Sequence, residues 1–119
     1  MESRPKTIFC DIDGTLVKHE GLLKVSHKGA KLELLPGTLE KFLEWDLKGY
    51  KIILTTGRKE SLREITENQL KDVGIFYDQL IMGLGGGKRY LINDCKEDGT
   101  EYAVAINLPR NKGVDGVDI

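Results

Sequence analysis

Apolar residues fall along this chain in short runs that alternate with stretches of helical spacing. Thr7 to Cys10 form one run and Lys51 to Thr55 (KIILT) a second, with Tyr90 to Ile92 and Tyr102 to Ile106 as two more. Between the first two, Leu39, Phe42, Leu43 and Leu47 recur at three- and four-residue intervals, which predicts a helix over Thr38 to Lys48. Pro36 and Gly37 lead into it, Thr38 is the expected N-cap and Gly49 the stop. A second helix is predicted over Ser61 to Val73, with Leu62, Ile65, Leu70 and Val73 inward. Ser61 and Glu64 make a capping box at its start, and Gly74 ends it. Ile75 to Met82 reads as a loop or a strand. Strands alternating with helices predict an α/β fold, a three-layer Rossmann-like arrangement around a central parallel sheet. Trp45, at helical spacing, is expected on a packing surface or an interface.

Composition narrows the classes. At 119 residues the chain is expected to be one domain, removing roughly two-thirds of its surface from water. The tail from Pro109 carries little apolar content and is expected to be irregular. Eighteen basic residues stand against nineteen acidic ones, a net charge of -1, so no nucleic-acid partner is expected. No apolar run approaches the ~20 residues that span a bilayer, and the first residues, Met-Glu-Ser-Arg-Pro-Lys, lack the pattern of a signal peptide. Cys10 and Cys95 each adjoin an acid at the end of an apolar run. That spacing suits neither zinc nor a disulfide framework, so both read as small core thiols in a reducing, cytoplasmic setting.

The chemistry is concentrated where the apolar runs end. Asp11 follows Ile8-Phe9-Cys10 directly, and Asp13 comes two residues later. In a parallel sheet the ligand site lies beyond the carboxyl ends of the strands. Asp11 and Asp13 lie past the first strand, Thr55 and Thr56 past the second, and Asp94 past the run Tyr90 to Ile92. Three carboxylates at one sheet edge repel one another unless a cation joins them. A hard ion such as Mg2+ takes oxygen ligands, keeps waters and recruits phosphate.

Asp11-Ile12-Asp13-Gly14-Thr15 after an apolar strand resembles the DxDGT signature of the haloacid dehalogenase-like (HAD) hydrolases. Thr56 in Ile-Ile-Leu-Thr-Thr-Gly-Arg resembles that superfamily's second motif, and Asp94 in Leu-Ile-Asn-Asp its fourth. The resemblance covers Thr7 to about Ile106. It implies a Mg2+-dependent phosphatase of small phosphorylated metabolites, with Asp11 as nucleophile and Asp13 as general acid and base. It further implies that Asp11, the Asp13 carbonyl and Asp94 hold Mg2+. Thr56 would act on a phosphoryl oxygen, with Thr15, Gly57 and Arg89 as further substrate contacts.

Two features depart from the pattern. The family's third motif is a basic residue opening a helix well before the fourth. Here Lys88, with Arg89 next, follows the glycine run from Gly83, and no full helix fits before Asp94. Short members associated with surface-polysaccharide sugar synthesis look similar here, which points to a sugar phosphate. The glycine run is not a P-loop, because the spacing is short and Arg89 follows Lys88. Second, Val17 to Leu35 is long enough for a hairpin flap but not for a cap domain. It carries Lys18, Lys24, Lys28 and Lys31 with His19 and His27. An uncapped pocket implies a bulky substrate or a homo-oligomer that closes the site. Asp98 reads as a second acid behind the site or as part of the turn Lys96 to Gly99. Two other classes stay open: a phosphoacceptor like the response-regulator receivers, and a binding module that kept the fold without turnover. The receivers place the phosphorylated Asp after a later strand, whereas Asp11 ends the first.

Overall fold

The computed structural model describes residues 4–21 and 29–119. Three strands form one parallel sheet in the order β1-β2-β3: β1 is Thr7–Asp11, β2 Lys51–Thr55 and β3 Gln79–Ile81. The register sets Asp11 opposite Thr55, and Thr55 opposite Ile81. The ends of all three strands therefore share one edge. Helix α1 (Thr38–Leu47) connects β1 to β2, and a 3-10 turn (Glu60–Leu62) leading into α2 (Arg63–Asp72) connects β2 to β3. The α/β class with a parallel sheet is as the sequence predicts.

The core follows from strand alternation. Ile8 and Cys10 of β1 point inward while Thr7, Phe9 and Asp11 point out; Ile52 to Leu54 of β2 are buried on both faces. They pack with Phe42, Trp45, Leu70, Ile75 and Leu80. Trp45 is thus core rather than interface. The inward stripe of α1 is Thr38, Phe42 and Trp45, and Leu43 and Leu47 are exposed. The helix begins at Thr38 as predicted, but the N-cap lies one residue earlier. Gly37, with φ 87°, is the N-cap, and the Thr38 hydroxyl donates to the carbonyls of Leu16 and Leu35. The Ser61–Glu64 capping box does not form, because Ser61 sits inside the 3-10 turn and Leu62 occupies the cap of α2.

Larger departures lie after β3. Among the described residues neither Tyr90–Ile92 nor Tyr102–Ile106 is a strand of the sheet, and nearly every residue from 83 to 109 is exposed. A single antiparallel bridge, Cys95 to Glu101, ties this excursion into a hairpin-like arm, which leaves Cys95 exposed. The segment after Pro109 has no helix or strand, as expected, yet Val114 and Val117 are buried in the core. The flap's ends pair as a hairpin would, at Val17 and Leu34, with the Lys18 N–H donating to the Glu33 carbonyl. Lys24, His27 and Lys28 lie outside the described residues.

Candidate active site

Asp11 is the last residue of β1, and a tight turn follows it. The Ile12 carbonyl accepts from the backbone N–H groups of Thr15, Leu16 and Val17, and Gly14 donates to the Val17 carbonyl at 2.7 Å. Gly14 holds this turn at φ 89°, in the left-handed region that favours glycine. The turn folds Thr15 back over Asp11, and its hydroxyl donates to Asp11 Oδ2 at 3.2 Å. Desolvation by surrounding atoms pushes the Asp11 carboxyl above its usual range, although the residue as a whole remains exposed. The nearby Asp13 charge adds to this shift, while the Thr15 hydrogen bond, a backbone hydrogen bond from Ile12 and the Arg89 charge oppose it.

Asp13 is held from across the sheet. Arg58, three residues beyond β2 and 3 % exposed, grips it bidentately: Nε donates to Oδ2 at 3.0 Å and Nη2 to Oδ1 at 2.8 Å. The remaining nitrogen of the fork, Nη1, donates to Thr66 Oγ1 and Gln69 Oε1 of α2, at 3.1 and 2.7 Å. The guanidinium is therefore tied to the turn after β1 and to α2, and its geometry matches a carboxylate on one side. No residue role named above falls to Arg58. Its signal was present, the arginine ending the Thr-Thr-Gly-Arg stretch after an apolar strand.

Thr56 is buried, with its N–H donating to the Ile81 carbonyl and its hydroxyl oxygen accepting from the Arg58 N–H at 3.1 Å. Its hydroxyl proton remains available to donate. Gly57 lies against the glycine run so closely that a Cβ there would sit 2.5 Å from the Gly85 carbonyl oxygen. Gly83 and Leu84 donate backbone N–H groups to the carbonyls of Arg58 and Thr56, which fixes the run across this edge.

Of the two basic residues after the run, Arg89 is the one whose charge reaches Asp11, as the weakest influence on that carboxyl. Its guanidinium is pinned to the carbonyls of Gly85, at 3.0 Å, and Gly87, and its charge acts on Asp11. Lys88 is exposed, and no hydrogen bond or ion pair joins it to another described residue. Asp98 accepts from the Thr100 N–H at 2.9 Å, which lowers its carboxyl and identifies it as a turn residue.

Asp94 does not join Asp11 and Asp13. Among the described residues no three acids, histidines or cysteines gather closely enough to hold a metal. The reason is chain direction. Arg89 is at the Asp11 end of β1, whereas Tyr102 accepts a hydrogen bond from Arg4, three residues before β1 begins. The limb from Arg89 therefore runs back along β1, and Asp94 stands five residues along it. A parallel strand returning it would need a crossover connection, and none fits.

The C-terminal segment buttresses the site from behind. The Asn111 N–H donates to the Gly14 carbonyl, and Asn111 Oδ1 accepts from the His19 N–H at 2.7 Å.

No protein-family model and no curated protein sequence matches this chain. Solved structures do. A chain of a Pnkp1/Rnl/Hen1 complex is 33% identical over 72% of this chain, with a TM-score of 0.57. This chain spans only 30% of that one. A structural-genomics target from Vibrio cholerae is 18% identical with a TM-score of 0.52, covering 82% of this chain and 79% of its own. A D,D-heptose 1,7-bisphosphate phosphatase from B. bronchiseptica, crystallised with magnesium and phosphate, is 18% identical. Its TM-score is 0.48, with 68% of this chain and 51% of its own covered.

Proposed function

We infer that this chain, which has the haloacid dehalogenase-like (HAD) hydrolase fold, is a phosphatase of small phosphorylated metabolites working through an aspartyl-phosphate at Asp11. The single observation that carries the reading is the arrangement at the sheet edge. A carboxylate ends β1, and a second stands two residues on, gripped by the two-pronged Arg58 fork at 3.0 and 2.8 Å.

In the first step an Asp11 carboxylate oxygen attacks phosphorus, and the bond from phosphorus to the leaving oxygen breaks as a proton reaches that oxygen. Asp13 would hand over that proton. In the second step water attacks the phosphorus of the aspartyl-phosphate, Asp13 takes the water's proton, and Asp11 is released. The bidentate Arg58 pair holds the Asp13 carboxylate in one orientation for both steps. Arg89, the Thr56 hydroxyl and the backbone N–H groups around Gly57 would act on the equatorial phosphoryl oxygens.

The donor set suits Mg2+: the Asp11 carboxylate and the Asp13 main-chain carbonyl are hard oxygen ligands, and Mg2+ readily completes its shell with waters and phosphate. Bound there, the ion would supply positive charge against the transferring phosphoryl group. A sugar phosphate remains the favoured substrate class, supported by the likeness of the Gly-rich run and Leu-Ile-Asn-Asp to sugar-pathway members of the family.

The test is release of p-nitrophenol from p-nitrophenyl phosphate, with and without Mg2+, followed by a sugar-phosphate screen. Wild type should turn over with Mg2+ and stop in EDTA, and Asp11→Asn should lose at least about 1000-fold. Undiminished turnover by Asp11→Asn would remove the nucleophile.

A further inference from the structure

The turn that carries Asp13 and Thr15 is flanked by a cation that the mechanism above does not use. A Cβ added to Gly14 would sit 3.2 Å from Arg110 Cγ, 3.8 Å from its Cδ and 3.6 Å from His19 Cβ. The stem of Arg110 therefore fills the space that a side chain at 14 would claim, with His19, at the base of the flap, beside it. Arg110 is exposed, and among the described residues no hydrogen bond or ion pair holds its guanidinium. Other cations nearby are committed: Arg58 to Asp13, and Lys18 to Glu20 at 4.0 Å.

The backbone next to Arg110 is strained and fastened. Among the described residues Asn111 is the one non-glycine with a positive φ, at 63°. Asparagine tolerates that region better than most side chains, yet the conformation persists only where surrounding contacts impose it. Two do so here. The Asn111 N–H donates to the Gly14 carbonyl at 2.8 Å, and Asn111 Oδ1 accepts from the His19 N–H at 2.7 Å. This clamp ties the last segment to the turn after β1 and to the flap, and so fixes the point from which Arg110 reaches out. A long cation with a fixed base loses less freedom on meeting a ligand.

The chemistry at Asp11 says which part of a substrate would meet it. Attack in line puts the leaving oxygen on the far side of phosphorus, where Asp13 meets it. The rest of the metabolite hangs from that oxygen, on the Asp13 side of the transferred phosphoryl group. Gly14 is the next residue, and the side chains packed around it are Arg110 and His19.

We propose that Arg110 is a specificity-determining residue that binds a second anionic group, carried by the leaving portion of the substrate. The substrate class is then a phosphomonoester with a carboxylate or a further phosphate away from the bond that breaks, since a guanidinium fork matches both. Which end of the ligand sits at Asp11 rests on the phosphatase reading; the second anion site rests on Arg110 and its clamp.

Calorimetric titration of the Asp11→Asn chain with Mg2+ measures binding without turnover. Three probes share one carbon skeleton: glucitol 6-phosphate has no second anion, 6-phosphogluconate adds a carboxylate and glucitol 1,6-bisphosphate adds a phosphate. One or both of the latter two should bind about 10-fold or more tighter than the first, and the tighter of them identifies the group. Adding Arg110→Gln, which keeps a stem over Gly14, should close that gap, and Arg110→Lys should keep part of it. Lys112→Gln, at an exposed position two residues on, should leave the gap intact. Absent or equal affinity for all three probes overturns the subsite. So does a preference that survives Arg110→Gln or falls equally with Lys112→Gln. In chains with Asp11 intact, kcat/KM should show the same preference and the same loss. A binding preference that Arg110→Gln removes, in a protein that hydrolyses none of the probes, would instead count against the phosphatase reading and leave the subsite standing.

Discussion

Arg58 does more than any other side chain to hold the site in one shape. Its fork satisfies Asp13 on one side and Thr66 and Gln69 on the other, all at a nearly fully buried position. Removing one partner of such a pair leaves the other charge uncompensated, which costs more than the pair contributes. Arg58→Ala is therefore expected to lose about 3–5 kcal/mol, read as a lower denaturation midpoint at unchanged slope. Arg58→Lys keeps the charge but not the fork, so it should retain more stability and still lose the Asp13 orientation, with kcat falling more than KM rises. The thiols give a second check at this scale. Burial, reinforced by the Asp11 charge, pushes Cys10 up to about 12, so it stays protonated at all pH values below that. At pH 8 its thiolate fraction is of order 10⁻⁴. The native protein should release at most one equivalent with a disulfide reagent, and Cys95→Ser should release none until denatured.

At the scale of elements, the site depends on one close approach between two loops. The Gly57 turn after β2 and the glycine run after β3 touch backbone to backbone, with the Gly85 oxygen where a side chain at 57 would begin. Gly57→Ala must push the run outward, because the obstructing atom is a carbonyl oxygen rather than a flexible side chain. Arg89, pinned to Gly85 and Gly87, would move with it. The expected outcome is a loss of about 1–3 kcal/mol with a fall in kcat/KM of at least ~10-fold. Thermal unfolding and steady-state kinetics on the same preparation would measure both.

For the whole molecule, the decisive contacts are those of the last residues. Val114 and Val117 are buried, Gly113 lies against Pro36, and Gly37 leaves no room for a Cβ beside Asp115. The Lys48 ammonium also donates to the Ile119 main-chain oxygen at 3.0 Å. Deleting 113–119 uncovers two core valines at about 1.5 kcal/mol or more each, so stability should fall by at least ~3 kcal/mol. In a domain of this size that lowers Tm by more than about 10 °C, measurable by calorimetry. A composition poor in apolar residues does not announce such a segment, since two valines among glycines and charges give no period. The same limit hid the fate of Tyr90 to Ile92 and Tyr102 to Ile106. Their β-type composition is unmistakable, but a strand forms only where it is laddered to a partner, and among the described residues neither run pairs with the open edge of β1.

What the amino-acid order settled alone was local. Period and turn residues set the alternation of strands and helices, and adjacency put Asp11 and Asp13 at the end of β1, with Thr56 and Gly57 beyond β2 on the same edge. These depend on neighbours within a few positions, whose geometry the backbone fixes. Which cation meets Asp11, which arginine grips an aspartate 45 residues away, and where Asp94 finishes were decided in three dimensions. Those outcomes turn on chain direction after the glycine run and on which surfaces find a cover, and neither is written in any short window of residues.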